Sequence, residues 1–324
     1  MDSLKTVKLP LATVAMVTYN SERYITEAIE SVLCQSQENL ELVICDDCST
    51  DNTWNIIQSY SDSRIRAFRN PENIGEYPNR NQAIKLAKGE YLIFIDGDDI
   101  LYPHGLEFMV RMLDAFPDSA MAMARPWNEK IIYPVEFTPR QIYLSEYLGR
   151  GMVAINFAHL MMRTSVLRSV GGLSTEYQAG DVHIQHLIGR SHKCLLINDG
   201  LAWWRRTPGQ VSDVILKRHF GAAEAFKFRC EFLDHESCPL TEEETRIAYA
   251  NLYGGFIRMV LRYVLKGRFK YVLHLLNKAK VPMKAWSYIF IPMRHNYMND
   301  VTAASPAKVD LQRNPLAKIP DSIK

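Results

Sequence analysis

Between Leu11 and Phe116 the chain repeats one pattern: a short apolar run, then a segment of helical periodicity. Leu11–Thr18, Leu40–Cys45, Arg64–Arg69 and Tyr91–Ile95 read as strands. Tyr24–Gln35, Thr53–Tyr60, Asn79–Lys88 and Pro103–Phe116 read as helices. The first helix places Ile25, Ile29, Val32 and Leu33 on one side, and the last opens on a proline, which suits a first helical turn. Strands that alternate with helices predict an α/β fold with a mostly parallel sheet and helices on both faces. Tyr91–Ile95 is apolar at every position, as a strand covered on both sides requires.

Beyond this stretch the pattern changes. From Ala120 to about Thr207 it is mixed, with strands expected at Ala120–Ala124, Asn156–Arg163 and Lys193–Ile197. Arg125 to Met152 shows little periodicity. After Ser212 the chain reads as helices to about residue 298, and the tail from Val301, with Pro306, Pro315 and Pro320, reads as loose. The expected division is an α/β domain over 1–215, a basic helical region over 216–299 and a flexible tail over 300–324. A hydrophobic share of 47% and a charged share of 23% exclude a disordered chain. The net charge of +2 gives no reason to expect a nucleic-acid partner, and six cysteines are too few for a disulfide scaffold. Met1–Pro10 carries Asp2, Lys5 and Lys8 and no apolar leader core, and no run reaches about 18 apolar residues. The expectation is a cytoplasmic protein, at most peripheral at the cytoplasmic face of a membrane.

The densest polar cluster, Asp96-Gly97-Asp98-Asp99, follows Tyr91–Ile95 directly. Carboxylates so close repel one another, and a hard cation such as Mg²⁺ or Mn²⁺ would relieve them while holding substrate phosphates. In open α/β sheets ligands bind beyond the carboxyl ends of the strands, where this cluster falls. An Asp-rich turn that caps the next helix is the plainer alternative. A second acidic pair, Asp46-Asp47, ends the second strand, and Thr18-Tyr19-Asn20-Ser21-Glu22 ends the first. A tyrosine face on which a base stacks, a carboxylate acceptor for a base N–H and a metal site together suit a nucleoside diphosphate.

In order and spacing, Val17-Thr-Tyr-Asn20, Asp46-Asp-Cys-Ser-Thr-Asp51, Asn73-Ile-Gly75 with Arg80-Asn81, and Asp96-Gly-Asp-Asp99 resemble the family 2 glycosyltransferases of the GT-A fold. Gly171-Gly172 through Asp181 resembles that family's acceptor-side motif, and Trp203-Trp-Arg-Arg206 through Ser212 its closing strand and loop. The resemblance covers about residues 11 to 215 and implies a Rossmann-like GT-A domain, here followed by a helical region. It implies that Tyr19 flanks the base, Asp47 hydrogen-bonds it and Glu22 supports that pocket. Arg80 would reach the diphosphate or order the base loop, Asp96 would contact the ribose or the metal, and Asp98 would ligate Mn²⁺ or Mg²⁺. Asp181 would be the general base for an acceptor hydroxyl in an inverting transfer from a nucleotide-diphosphate sugar to a glycan or lipid-linked acceptor. From the residues alone, Asp181 at the start of the helical segment Val182–Ile188 reads first as an N-cap, and only the resemblance reverses that. Three positions depart from the family pattern: Gly180, where an acidic residue often stands; Thr207, where a histidine is often found; and Pro78-Asn79, where small residues are usual. They keep open a second function, a degenerate domain that binds a nucleotide sugar or glycan without turnover. A nucleotidyltransferase would show a glycine-rich phosphate loop, which Val17–Ser21 lacks.

Other signals weigh less. Cys45-Asp-Asp-Cys48 has no second pair to complete a zinc site, so Cys45 is expected as a core thiol. His183, His186 and His192 read as a partly exposed helix face rather than a ligand set. Of Trp203 and Trp204, one is expected in the core and one at the acceptor site. Asn251 to Asn299 holds nine Lys or Arg and no Asp or Glu. Arg258, Arg262 and Lys266 fall at i, i+4 and i+8, and Trp286, Tyr288 and Phe290 follow. Like charges on one helix face are mildly destabilising, and an anionic membrane surface would offset this. A helical subdomain with a solvated basic face is the alternative.

Overall fold

The structure is a computed structural model and describes residues 11–126, 132–149, 151–206 and 221–290. Thr207, Ser212 and the tail from Val301 lie outside the described residues, as does Met1–Pro10. Strands β1 (Ala12–Thr18), β2 (Leu40–Asp46), β3 (Ile65–Arg69) and β4 (Tyr91–Asp96) alternate with helices α1 (Ile25–Leu33), α2 (Thr53–Gln58) and α3 (Glu76–Leu86). A two-residue strand β5 (Ile100–Leu101), helix α4 (Gly105–Ala115), β6 (Ser119–Arg125), β7 (Val135–Phe137) and α5 (Pro139–Leu148) follow. Then come β8 (Leu160–Arg163), α6 (Thr164–Ser169), α7 (Gly180–Gly189), β9 (Lys193–Asn198) and β10 (Ala202–Trp203). Three helices close the described chain: α8 (Gly221–Asp234), α9 (Glu242–Leu265) and α10 (Phe269–Ala279), with a 3₁₀ stretch over Met283–Phe290.

The eight-stranded sheet has the order β3-β2-β1-β4-β8-β6-β9-β7. β1 pairs in parallel with β2 and β4, β2 with β3, and β6 with β9. β8 runs antiparallel between β4 and β6, and β7 runs antiparallel along β9. The sheet is therefore mostly parallel but reversed at β8. β1 and β2 are buried at every position because helices cover both faces. Val14, Met16 and Ile44 face α1 and α4, while Ala15, Val43 and Phe94 face the side of α3, α5 and α7. That second face also takes Phe228, Phe232 and Leu233 of α8 and Ala248 of α9 into the same core. Asn251 of α9 donates to the Tyr147 carbonyl of α5 at 3.0 Å, and Arg140 pairs with Glu244.

Several expectations change. α3 starts at Glu76, three residues before the expected start, with Pro78 inside the first turn, where its missing N–H costs nothing. α5 and β7 occupy the stretch that looked patternless. α5 is opened by Thr138 and Gln141, whose side chains each bond the other's backbone N–H, with Pro139 at the first position. The strand expected over Asn156–Arg163 begins as a 3₁₀ turn, Phe157–His159, and only then becomes β8. His186 is not on a partly exposed face: it is fully buried and stacks on Phe232, and burial pushes its pKa down to about 3. Neither tryptophan is in the core: Trp203 is exposed and Trp204 half-buried, with Arg205 over the first ring and Arg206 over the second. Arg258 leaves the expected basic stripe, because it is half-buried with its guanidinium folded against Gly254, while Arg262 and Lys266 stay exposed. Among the described residues no helix is long and apolar enough to cross a membrane.

Candidate active site

The loops that leave β1 and β2 are tied side to side. Asn20 sits in the left-handed region with φ 51°. Its Oδ1 accepts the Thr50 N–H at 2.8 Å, and its own N–H donates to Ser49 Oγ at 2.9 Å. Glu22 Oε2 accepts the Asn52 N–H at 2.9 Å, and the Glu22 N–H donates to Asp51 Oδ2 at 3.0 Å. Glu22 thus holds two loops together at the foot of Tyr19, whose ring is about half exposed. Asp47 is buried and already busy. Its Oδ1 accepts from Asn70 Nδ2 at 2.8 Å and the Ile74 N–H at 2.9 Å, and its Oδ2 accepts the Gly75 N–H at 2.9 Å. A carboxylate offers about four lone-pair sites, so about one is left, on Oδ2. Asp47 therefore fixes the Ile74–Gly75 loop before it does anything else.

The end of β4 is built around Arg80. This side chain is only 2% exposed. Its Nη2 donates to Asp96 Oδ1 at 2.6 Å and to Glu76 Oε1 at 3.1 Å. The guanidinium lies over the rings of Phe94 and Phe157, with centroids at 5.2 and 4.4 Å. Its Nη1 is buried without a hydrogen-bond partner, an expensive state for a charged donor unless an anion or water meets it. After Asp96 the chain turns sharply, the Asp99 N–H donating to the Asp96 carbonyl at 3.0 Å. Gly97 is required there, since a Cβ would stand 2.6 Å from Thr18 Oγ1. Arg205 clamps the turn: its N–H donates to Asp99 Oδ1 at 2.9 Å, its Nε to the Asp98 carbonyl at 2.7 Å and its Nη2 to Glu27 at 2.6 Å. Burial, then the charges of Asp96 and Asp98, hold the Asp99 carboxyl well above the usual range.

Asp96 and Asp98 are both partly exposed at this end of the sheet. Among the described residues no set of three His, Cys, Asp or Glu gathers as a metal cage. Mg²⁺ and similar hard ions do not need one, because they use one or two carboxylates and take the remaining ligands from water and substrate phosphates. The oxygen donors of Asp96 and Asp98 fit such an ion.

Asp181 lies in the first turn of α7. Burial raises its pKa, while the Val182 N–H at 2.8 Å and the charge of Arg80 oppose the rise. The loop before it hangs on α3. The Tyr77 hydroxyl accepts the Gly180 N–H at 2.9 Å and donates to the Gln178 carbonyl. Asn81 Nδ2 donates to the Leu173 carbonyl at 2.8 Å, and the Leu173 N–H returns to Asn81 Oδ1 at 2.8 Å. One helix thus carries Arg80, which holds Asp96, and Tyr77, which holds the approach to Asp181. A buried carboxylate with a raised pKa is a stronger proton acceptor than a solvated one.

The structure brings Tyr19, Glu22 and Asp47 together at the ends of β1 and β2, and Arg80 with Asp96 and Asp98 at the end of β4. Sequence reasoning passed over Glu76, Tyr77, Asp99 and Arg205. Asp99 was visible in the acidic cluster; Tyr77 and Arg205 act across more than a hundred residues of chain, which no local pattern reports. Cys45 is a core thiol that burial pushes up to about 12, which leaves it inert.

The sequence model described as Glycosyl transferase family 2 matches residues 13–168. Two curated relatives are Escherichia coli UDP-Glc:alpha-D-GlcNAc-diphosphoundecaprenol beta-1,3-glucosyltransferases. WfaP is 43% identical over 91 residues, 28% of this chain and 36% of the relative. WfgD is 41% identical over 103 residues, 32% and 41%. The chain therefore spans about two fifths or less of the relatives it matches. Among solved structures, S. aureus TarS 1-349 in complex with UDP-GlcNAc superposes with a TM-score of 0.67 at 21% identity, over 90% of this chain and 88% of that one. The Pyrobaculum calidifontis mannosyltransferase PcManGT, in complex with GDP-Man and Mn²⁺, has a TM-score of 0.57 at 16% identity, over 87% and 79%. These likenesses speak for the GT-A fold. With its motifs at the carboxyl ends of β1, β2 and β4, the segment 13–168 of this chain forms a family 2 glycosyltransferase domain.

Proposed function

We propose that this chain transfers a sugar from a nucleoside-diphosphate sugar to a hydroxyl of a lipid-linked acceptor, with inversion and with Asp181 as the single base. The observation that carries the reading is the double duty of α3, which fastens the Asp96 end of the sheet and the approach to Asp181 to one rigid element. In this reading the base lies against Tyr19, with the Ile74–Gly75 loop fixed by Asp47 and the Asp51–Asn52 loop held by Glu22. Arg80, sealed against Phe94 and Phe157, holds the Asp96 carboxylate in place at the diphosphate end of the site. Asp98, with Asp96, would hold Mn²⁺ or Mg²⁺, which when bound neutralises the charge on the departing diphosphate. Asp181 takes the acceptor's hydroxyl proton as that oxygen bonds to the anomeric carbon. The bond from the anomeric carbon to the diphosphate oxygen breaks in the same step, so the configuration inverts.

The names of the E. coli relatives favour a UDP-sugar donor and an acceptor on a lipid diphosphate. The six cysteines are free, which fits a reducing compartment and a reaction at the cytoplasmic face of a membrane. Gly180 no longer argues for a degenerate domain. A Cβ at that position would collide with the Tyr77 ring, so the glycine answers to packing rather than to lost catalysis.

The test is thermal stability with UDP, GDP or dTDP, each with and without Mn²⁺. A ligand that binds only the folded state raises Tm as its concentration passes the dissociation constant. The expected result is a Mn²⁺-dependent rise with UDP that Asp98→Ala abolishes. No rise with any of the three nucleotides would sink the reading.

A further inference from the structure

Three large apolar side chains that the fold leaves outside lie where α9 turns into α10. Leu265 is 88% exposed, Phe269 62% and Leu273 62%. Leu265 ends α9, and Gly267, at φ 67°, reverses the chain. Phe269 and Leu273 stand at i and i+4 on α10 and share one face. The adjoining strip of α10 buries Val272 and Leu275 against α8 and α9, so the apolar face of this helix runs on past the core to Phe269 and Leu273. Single exposed apolar residues are ordinary on a soluble protein, whereas three large ones on one turn mark a contact surface.

Four exposed cations surround them: Arg262, Lys266, Arg268 and Lys270. Among the described residues no carboxylate forms an ion pair with any of the four. The sequence from Asn251 to Asn299 contains no acidic residue at all. A second copy of the chain is a poor occupant, because the same four cations on each copy would repel. An anionic bilayer suits both features at once, since apolar side chains enter the headgroup and acyl boundary while basic ones meet the lipid phosphates.

We propose that the α9–α10 turn is a docking tip for an anionic membrane, with Leu265, Phe269 and Leu273 inserted and Arg262, Lys266, Arg268 and Lys270 at the headgroups. This differs from the face expected from sequence, which relied on Arg258. The tip stands apart from the sugar transfer proposed above, because lipid binding is read without donor or acceptor and either can fail alone.

The experiment is flotation of the full chain with vesicles of phosphatidylcholine, or of equal parts phosphatidylcholine and phosphatidylglycerol. The chain should float with the anionic vesicles only, and less in high salt. Phe269→Ser with Leu273→Ser, and separately Lys266→Glu with Lys270→Glu, should each weaken that binding about tenfold or more. All four positions are exposed, so circular dichroism and Tm should stay as in the wild type, which separates lost docking from lost folding. Three results would overturn the proposal: no flotation with either vesicle, flotation that neither pair changes, or a dimer in light scattering that Phe269→Ser with Leu273→Ser dissolves.

Discussion

Gly180 and Tyr77 make a single unit at the scale of residues. The ring of Tyr77 fills the space where a side chain at position 180 would go, and its hydroxyl satisfies the Gly180 N–H. A sequence comparison sees only a missing acidic residue, while the structure supplies the reason. Forcing atoms into a packed site typically costs about 1–3 kcal/mol. Gly180→Ala should therefore lower stability by about that amount in urea unfolding. In a Tyr77→Ala background the same substitution should cost under about 1 kcal/mol, since contacting residues couple and the obstruction is gone. An equal penalty in both backgrounds would mean that the glycine is there for another reason. Asp47 teaches a similar lesson, because its carboxylate spends most of its capacity on Asn70, Ile74 and Gly75 and shapes the loop rather than standing open.

At the scale of elements, α7 joins the proposed base to a packing anchor. Asp181 opens it, and His186, five residues on, is sealed among Tyr147, Phe228 and Phe232. His186 is held neutral, its pKa pushed down to about 3 by burial and then by the charge of Arg229. The unfolded chain, with a histidine pKa near 6.5, binds a proton that the fold refuses between those two values. Stability should therefore fall as pH drops below about 6.5, the fall being reduced by the buried Glu146 carboxyl that stands 3.7 Å from His186 Nε2. His186→Phe should shrink the difference in Tm between pH 7 and pH 5; a difference unchanged from wild type would contradict the burial argument. The strands and helices around β1, β2 and β4 were legible in the sequence because two-sided burial writes continuous apolar runs, as at Tyr91–Ile95. α3 was harder to place, because its buried side carries Asn79 and Arg80 beside Ala83 and Ile84, and Tyr77, Arg80 and Asn81 are pinned by tertiary bonds. α5 left a legible mark in Thr138-Pro139 and Gln141, although its buried Tyr143, Ser145 and Tyr147 hide its periodicity. The clustering of Asp96 and Asp98 could be read from spacing, but the clamp by Arg205 could not, since 106 residues separate Arg205 from Asp99.

At the scale of the whole molecule, the division near residue 215 is best proposed as a change of architecture and not as two independent folding units. Phe228, Phe232 and Ala248 from the helical region sit in the same apolar core as Phe94 and Met123 of the sheet. The sheet presents the candidate site at its carboxyl ends, α3 ties the Asp96 turn to the loop before Asp181, and α9 and α10 carry the exposed tip. The central claim is that Asp181 removes the acceptor proton while the donor site stands apart from it. The most direct measurement is single-turnover transfer from a UDP-sugar to a synthetic sugar-diphosphate lipid, by the wild type and by Asp181→Asn, with UDP affinity measured on both. A general base contributes about 10²–10⁴-fold, so the variant should lose that much in rate while its UDP affinity stays within about twofold. A variant that transfers sugar at the wild-type rate, or one that loses UDP binding together with turnover, would contradict the account.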